Sequence, residues 1–380
     1  MEKKLKNSKT EDENNSIKLN SNNFTLFDDF TLELKLLNEK IEKTILEFNE
    51  IKNNYINNIK LNNEKNKENQ RIIPEFDKIC KANRKEYIEE KIEIGSDSTE
   101  YELVVYFPRQ FEAFRIAYCA TFSEFIISMS KSSEWSNVSG GKSKATFSKS
   151  IDQKYILKYI AKSEFKMFID NCTQLFHYNT KYLFHKMPSA LTKILGVYKI
   201  KIKRAKETKI ETYYILLMEN LYYGMKNYSN NSNNKAKIKV YDLKGSKLNR
   251  YIPRNQQISG KVLLDTNYLQ DYNGEPIAVD KNVYKIFRTA LHNDSLILSK
   301  MNIIDYSLLL ILDETEKEND GLNLIKLGII DYTRKYTWDK QLESYGKILM
   351  NGISVKPTII NPEAYRNRFI KEIEKYLIGV

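Results

Sequence analysis

The chain has 380 residues, of which 41% are hydrophobic and 29% are charged, and its formal net charge is +12. This length accommodates one large domain or two smaller ones with a buried core. The longest aliphatic run, residues 308–312, is far too short to cross a membrane, and the amino terminus has no apolar stretch of signal-peptide type. We therefore expect a soluble, intracellular protein.

The positive charge is unevenly distributed. Residues 1–90 contain 17 Lys and Arg against 18 Asp and Glu, whereas the rest of the chain contains 44 against 31. Such a surplus attracts nucleic acid, anionic lipid or phosphorylated substrates. No zinc-finger, RNA-binding or helix-turn-helix pattern favours nucleic acid. We therefore expect an anionic membrane or a phosphorylated ligand as the partner.

Cysteine and histidine usage argues against a disulfide framework and a zinc site. Cys80, Cys119 and Cys172 form no CxxC pair, and the three histidines have no metal-ligand spacing. The cysteines are best interpreted as buried thiols.

Residues 1–87 form an extension rich in Asn and Lys, and its first 73 residues contain neither Gly nor Pro. Apolar residues fall mostly three or four apart between about 30 and 62, which predicts an amphipathic helix able to pair with a partner or a second copy. A marginal helix in a partly disordered extension explains the same pattern. The apolar positions are Leu34, Leu37, Ile41, Ile45, Phe48, Tyr55 and Ile59.

A mixed α+β region with antiparallel strands is predicted from about residue 88 to residue 225. The predicted strands are 101–107, 154–160, 194–203 and 211–219, and the predicted helical stretches are 112–129 and 163–176. The Asn-rich tract 227–234 then predicts an exposed loop that joins strands.

A glycine-rich turn precedes the strand that carries Lys158. Glycines let a turn approach phosphates closely, and a lysine on the next strand can neutralise α- and β-phosphate oxygens. A hairpin turn and a solvent-exposed lysine explain the same residues. The candidate nucleotide-binding residues of the turn are Gly140, Gly141, Lys142 and Ser143.

Two further segments have nucleotide-binding potential. Glu164 lies six residues after Lys158, which allows a lysine–glutamate pair of the kinase type, although a glutamate at a helix start also satisfies the helix dipole. Glu219, Asn220 and Leu221 end a strand and could form a hinge that meets adenine through backbone groups. An ordinary core strand is the alternative.

The segment 242–246, which reads DLKGS, combines an acid, a base and a glycine. Lys244 could contact a transferred phosphate and Asp242 a metal or a neighbouring cation. A salt-bridged turn is the alternative.

Two similar segments, IIDY at 303–306 and IIDY at 329–332, each place an aspartate after an apolar run. We interpret Asp305 and Asp331 as acids at strand ends beside a cleft, where carboxylates hold Mg²⁺ or a substrate hydroxyl. A structural acid bonded to backbone amides is the alternative for either one. Together with DLKGS, the two acids indicate phosphoryl transfer.

These segments together resemble the phosphatidylinositol phosphate kinase family from about residue 88 to the end. The matching segments are SGGKSKATF (139–147), YILKYIAKSEFKMFI (155–169), LTKILGVYKI (191–200), YYILLMENLYYG (213–224), YDLKGSKLNR (241–250), IIDYSLLL (303–310) and GIIDYTRKYTWDKQLE (328–343). The C-terminal KPTIINPEAYRNRF (356–369) is similar to the type III branch, the phosphatidylinositol-3-phosphate 5-kinases.

The resemblance implies a two-lobed α+β kinase fold, with an N-lobe to residue 225, a C-lobe from residue 226, and ATP and Mg²⁺ as cofactors. It implies that Lys158 holds the α/β phosphates, that Asp331 holds Mg²⁺ with Asp305 beside it, and that Asp305 or Asp242 handles the 5-hydroxyl of the lipid. Lys244 then stabilises the moving phosphoryl group. Residues 344–360 become an activation loop in which Lys347 and Lys356 contact the headgroup.

The implied protein acts peripherally on endosomal or vacuolar membranes and converts phosphatidylinositol 3-phosphate to the 3,5-bisphosphate. Lys144 stands where the family commonly has glycine, and Lys356 directly precedes Pro357, a shift of one position from the type III pattern. A phosphatidylinositol 4-phosphate 5-kinase and a catalytically weak phosphoinositide-binding scaffold are the alternatives.

Overall fold

The computed structural model describes residues 87–94, 99–118, 122–129, 132–134, 146–185, 187–204, 208–225, 238–257, 261–317, 323–333 and 361–380. The described residues form two mainly antiparallel sheets, and helices pack against each of them. The predicted two-lobed α+β class is therefore confirmed. None of the described helices is both long and apolar enough to span a bilayer. The predicted helix at 30–62 lies outside the described residues.

The first sheet has seven strands in the order β1-β2-β6-β7-β5-β4-β3, and every neighbouring pair is antiparallel. The strands are β1 (Tyr87–Ile94), β2 (Thr99–Tyr106), β3 (Ser132–Glu134), β4 (Phe147–Ser150), β5 (Tyr155–Ile160), β6 (Ile194–Lys203) and β7 (Glu211–Glu219). Long strands rich in Ile, Val and Tyr form its centre, as their β-propensity favours. The predicted pairing of 194–203 with 211–219 is confirmed.

Three helices accompany this sheet: α1 (Pro108–Tyr118), α2 (Phe122–Met129) and α3 (Lys162–His185). The single helical stretch predicted at 112–129 is thus two helices. The prediction for α3 ended too early, because its apolar face continues through the buried Tyr178. Phe176 of α3 lies 5.1 Å and 5.4 Å, ring to ring, from Phe111 and Phe114 of α1, and these contacts fix one helix on the other. Cys172 is a buried free thiol, as predicted.

The second sheet has the order β12-β11-β8-β9, with β8 and β9 parallel and the other pairs antiparallel. Its elements are β8 (Ile238–Leu243), β9 (Leu263–Leu264), α4 (Asp265–Asp271), α5 (Lys281–Lys300), β11 (Ser307–Lys317), β12 (Asn323–Ile330) and α6 (Pro362–Ile373). A small parallel pair, β10 (Ile277–Val279) and β13 (Leu377–Gly379), lies beside α5. The apolar run 308–312 is the buried centre of β11.

The two sheets meet where the chain before β6 pairs with β12. The Thr192 N–H donates to the Ile329 carbonyl at 3.0 Å, and the Ile329 N–H donates to the Ala190 carbonyl at 2.6 Å. Gly328 allows this close approach, because a Cβ at this position would lie 2.8 Å from both Leu221 Cδ1 and Thr192 Oγ1 and would displace those side chains. The end of β12 is therefore anchored to the first lobe.

Candidate active site

Lys158 lies in the middle of β5, and its side chain is only 6% exposed. Its Nζ lies 2.8 Å from Asp331 Oδ1 and 3.4 Å from Glu164 Oε1. The alternative of a lysine that reaches solvent is therefore wrong. A buried ammonium needs such partners, because desolvation strongly penalises an unpaired charge.

Glu164 lies in the first turn of α3, as predicted, and pairs with Lys158. The same Oε1 accepts a short hydrogen bond from the Thr333 hydroxyl. Thr333, two residues after Asp331, had no individual signal in the sequence. Glu164 thus contacts both Lys158 and the chain that leaves β12.

Asp305 and Asp331 lie at the same edge of the second sheet. Asp331 directly follows β12, as predicted, whereas Asp305 precedes β11 in a turn, so the strand-end prediction for Asp305 is wrong. The two acids come together because Ser307 of antiparallel β11 pairs with Ile330 of β12. This register places the start of one strand beside the end of the other.

Both aspartates have left-handed backbones, with φ of 68° at Asp305 and 59° at Asp331. Their carboxylates are 43% and 35% exposed, although apolar neighbours such as Ile304 and Tyr332 are buried. Both carboxylates are therefore partly exposed at the sheet edge and are not enclosed by their apolar neighbours. Non-glycine residues in this conformation are uncommon and concentrate at functional sites.

Lys244 follows β8 and faces Asp305. Its Nζ donates to the Asp305 carbonyl at 2.8 Å and to Asp305 Oδ1 at 2.5 Å. The sequence grouped Lys244 with Asp242 of the same segment, but the acid that Lys244 contacts is Asp305, in the turn before β11. The site therefore has two lysine–aspartate pairs, Lys158–Asp331 and Lys244–Asp305.

Asp265, at the start of α4, holds the DLKGS turn through hydrogen bonds to its backbone. No sequence motif predicted this role. Its completely buried carboxylate accepts from the backbone N–H groups of Gly245 at 2.8 Å and Lys244 at 3.0 Å. Arg250 Nε donates to it at 2.8 Å and the Tyr376 hydroxyl at 3.2 Å. Successive backbone N–H groups can form a concave anion-binding site. In this turn the bound anion is the carboxylate of Asp265.

Asp242 pairs with Arg250, whose Nη2 lies 3.0 Å from Asp242 Oδ1 and also donates to the Asp242 carbonyl. Burial raises the pKa of Asp242 above its ordinary value, and the charges of Arg250 and Lys244 only partly oppose this. Burial lowers the pKa of the Arg250 guanidinium, but Asp242 and Asp265 outweigh burial and leave it raised. Asp242 therefore has a neighbouring cation, one of the two partners predicted for it.

The predicted hinge residues lie at the end of β7. The N–H groups of Glu219 and Asn220 donate within the chain, to the carbonyls of Lys193 at 3.0 Å and Lys154 at 2.9 Å. Leu221 and the partly buried Ile330 pack on an apolar cluster that contains Tyr222 and Met225 together with residues of β8 and β11. Contact of these three residues with adenine stays a prediction. Leu221 has an apolar side chain that suits an adenine ring.

The remaining predicted site residues lie outside the described part of the chain. They are Gly140, Gly141, Lys142 and Ser143 of the glycine-rich turn, and Lys347 and Lys356 of the predicted activation loop.

Asp331 and Asp305 fit a magnesium site by the chemistry of their donors. Mg²⁺ prefers carboxylate oxygens and is commonly held by one or two of them together with substrate phosphates. Among the described residues no three His, Cys, Asp or Glu side chains form a metal site by themselves. A metal here would therefore share its ligands with the nucleotide.

A strand lysine held between a helix glutamate and an aspartate at a strand end, where two sheets meet, is the phosphate-binding arrangement of a kinase. The fold and the site together define a protein with the two-lobed kinase fold. The family model described as phosphatidylinositol-4-phosphate 5-kinase matches residues 128–323 and 311–376. The chain belongs to this family.

Within this family, the chain is similar to curated proteins that are named as 1-phosphatidylinositol 3-phosphate 5-kinases. The chain is 37% identical over 287 residues to the Arabidopsis thaliana protein named putative 1-phosphatidylinositol-3-phosphate 5-kinase FAB1C, covering 74% of this chain. It is 34% identical over 295 residues to the Homo sapiens 1-phosphatidylinositol 3-phosphate 5-kinase, covering 76%, and 33% identical over 313 residues to FAB1 of Saccharomyces cerevisiae, covering 81%. The chain spans only 16%, 13% and 13% of these relatives.

Proposed function

We propose that this chain transfers the γ-phosphoryl group of ATP to the 5-hydroxyl of phosphatidylinositol 3-phosphate and forms phosphatidylinositol 3,5-bisphosphate. The observation that carries the proposal is the meeting of Lys158 and Lys244 with Asp331 and Asp305 at one sheet edge. The family match and the names of the relatives support the choice of a lipid substrate.

In this proposal Lys158 contacts the α- and β-phosphate oxygens of ATP, and Glu164 holds the lysine in position. Asp331 and Asp305 would hold Mg²⁺, whose chemistry there is to neutralise charge on the phosphate oxygens. Phosphoryl transfer needs mainly positioning and charge neutralisation, and these residues supply both.

Asp305 is the better candidate for the group that accepts the proton of the lipid hydroxyl. Its carboxylate is more exposed than that of Asp242, which Arg250 holds from within the chain. Lys244, bonded to Asp305, is placed to stabilise charge on the moving phosphoryl group. In this proposal Asp242 stays paired with Arg250 and takes no part in the proton transfer at Asp305.

The charge distribution supports action at an anionic membrane. The net surplus of Lys and Arg belongs to the part of the chain that carries the kinase fold, and such a field attracts acidic lipids. We propose peripheral association with endosomal or vacuolar membranes, with Lys347 and Lys356 contacting the headgroup.

The test is a lipid-panel assay with identification of the product isomer. Vesicles containing phosphatidylinositol, its 3-phosphate or its 4-phosphate are incubated with Mg²⁺, labelled ATP and the full chain. We expect the 3,5-bisphosphate as the main product, loss of activity in Asp331→Asn, and full activity in the control Asp170→Asn, which changes an exposed acid on α3.

Two results would contradict the proposal. Vesicle binding without any transfer would make the chain a phosphoinositide-binding scaffold. Preferential conversion of the 4-phosphate would instead assign the activity named by the family model.

A further inference from the structure

Asp294 lies on α5 of the second lobe, and its buried carboxylate is bonded to two parts of the first lobe. Its Oδ1 accepts from the Tyr178 hydroxyl of α3 at 2.5 Å. Its Oδ2 accepts from the Ala190 N–H, in the segment that connects α3 to β6, at 2.6 Å. A buried carboxylate is costly unless it is hydrogen-bonded, and these two donors meet that need. Asp294 thus joins a helix and a connecting segment of one lobe to a helix of the other.

The connecting segment from Ala190 to Thr192 contacts the chain on both sides of Asp331. The Ala190 carbonyl accepts from the Ile329 N–H at 2.6 Å, and the Thr192 N–H donates to the Ile329 carbonyl at 3.0 Å. The Tyr332 hydroxyl donates to the Thr192 carbonyl. Asp331 lies between these two attached residues, so the position of its backbone depends on the position of the connecting segment.

The backbone conformation of Asp331 needs this support. Its φ is 59°, in the left-handed region that is unfavourable for a residue with a Cβ. Such a conformation persists only where surrounding contacts hold it. The connecting segment supplies contacts of this kind, and Asp294 fixes the start of that segment. Loss of the Asp294 carboxylate should therefore change where the Asp331 carboxylate points.

We propose that Asp294 is a positioning residue for Asp331 and that it acts through the connecting segment. The inference rests on the proposed function and deepens it, because that function assigns the magnesium–nucleotide complex to Asp331. Asp294 is bonded within the fold by both carboxylate oxygens. Its effect on the nucleotide therefore passes through Asp331.

Binding of a non-hydrolysable ATP analogue tests the proposal without catalysis. Calorimetric titration of the full chain with Mg²⁺, and with excess EDTA, separates the affinity that Mg²⁺ adds from the affinity of the nucleotide alone. In Asp294→Asn we expect Kd to rise about fivefold with Mg²⁺, as for one lost hydrogen bond, and to stay unchanged without it. The matched control is Asp280→Asn, because Asp280 accepts from two backbone N–H groups at the start of the same helix. The control should bind as the unmodified chain does.

A mutant cycle shows whether the effect passes through Asp331. Added to Asp331→Asn, the change Asp294→Asn should cause no further loss of affinity with Mg²⁺, whereas additive losses would overturn the proposal. If Asp294→Asn does not fold, Tyr178→Phe removes one of the two donors and should show the same magnesium-dependent loss. Its control is Tyr213→Phe, which removes a hydroxyl that donates to Glu211 within β7.

A purely structural role for Asp294 predicts less binding-competent chain with an unchanged Kd, or equal losses with and without Mg²⁺. Either result would overturn the proposal. A magnesium-dependent loss in a chain that transfers no phosphate to lipid would retain the positioning role and reject the proposed function. Lipid phosphorylation by a chain whose Kd does not respond to Asp294→Asn would do the reverse.

Discussion

Lys158 of the first sheet and Asp331, which directly follows β12 of the second, are 173 residues apart in the chain and are joined by an ion pair of 2.8 Å. The pair forms because β12 is anchored to the first lobe through Ile329, two residues before Asp331. The candidate phosphate site is therefore assembled by the junction of the lobes, and its geometry depends on that junction.

Removal of the Lys158 ammonium should abolish transfer. In Lys158→Ala the carboxylates of Glu164 and Asp331 lose their shared cation, and nucleotide phosphates meet uncompensated negative charge. We expect kcat/KM to fall by about a hundredfold or more, measured as labelled lipid product. Lys285→Ala, which changes an exposed lysine on α5, is the control. Substantial activity in Lys158→Ala would reject the phosphate-binding role.

The sequence made the main parts of this site predictable, because their signals are local. Lys158 lies on an alternating strand, and Asp331 ends an apolar one, so each element could be assigned from neighbouring residues. The pairing of Lys158 with Glu164 also followed from a spacing of six residues. These are short-range relations that a single chain segment carries.

Other parts of the site depend on contacts between residues far apart in the chain, which no single segment of the sequence reveals. Asp265 acts through backbone N–H groups about twenty residues away, which have no sequence signature. The turn at Asp305 was misassigned because Ile303 and Ile304 resemble a strand in composition, whereas they follow the end of α5.

Asp265→Asn should impair catalysis through Lys244. An amide cannot accept from Lys244, Gly245, Arg250 and Tyr376 together, and it leaves the Arg250 guanidinium with less negative charge. We expect a loss of about 3 kcal/mol in the free energy of unfolding, and a fall in kcat with little change in KM for ATP.

The measurements are urea unfolding and steady-state kinetics at a temperature where the variant is folded. Asp280→Asn is a matched control, because Asp280 also accepts from two backbone N–H groups, at the start of α5. A purely structural role for Asp265 would lower stability while kcat per folded molecule stayed normal, and that outcome would contradict the prediction.

Gly328→Ala should destabilise the junction of the lobes. The new methyl group would approach Leu221 Cδ1 and Thr192 Oγ1 to 2.8 Å, so the neighbouring side chains or β12 must shift. Overpacking of this kind costs about 1–3 kcal/mol. Chemical denaturation of Gly328→Ala, Leu221→Ala and the double variant forms a mutant cycle. The double variant should lose less stability than the sum of the two single losses, and simple additivity would refute the contact.

The buried Asp294 should make stability depend on pH. Burial raises the pKa of this carboxyl above its ordinary value of 3.8, although the Tyr178 hydroxyl and the Ala190 N–H, which donate to it at 2.5 Å and 2.6 Å, oppose the rise. A carboxyl with a raised folded-state pKa holds its proton more tightly in the fold. Its contribution is therefore complete below pH 3.8 and is lost as pH rises through the raised value.

Asp294→Asn removes that titration. The amide nitrogen cannot accept from Tyr178 or Ala190, whereas the hydroxyl oxygen of the protonated carboxyl still can, so the variant should be less stable than the unmodified chain by about 1–2 kcal/mol at low pH. The deficit should shrink as pH rises above 3.8, because only the unmodified chain loses the contribution of its protonated carboxyl. Unfolding free energies measured across the acidic range test this, and a deficit that grows with pH would show that the folded state instead stabilises the ionised carboxylate.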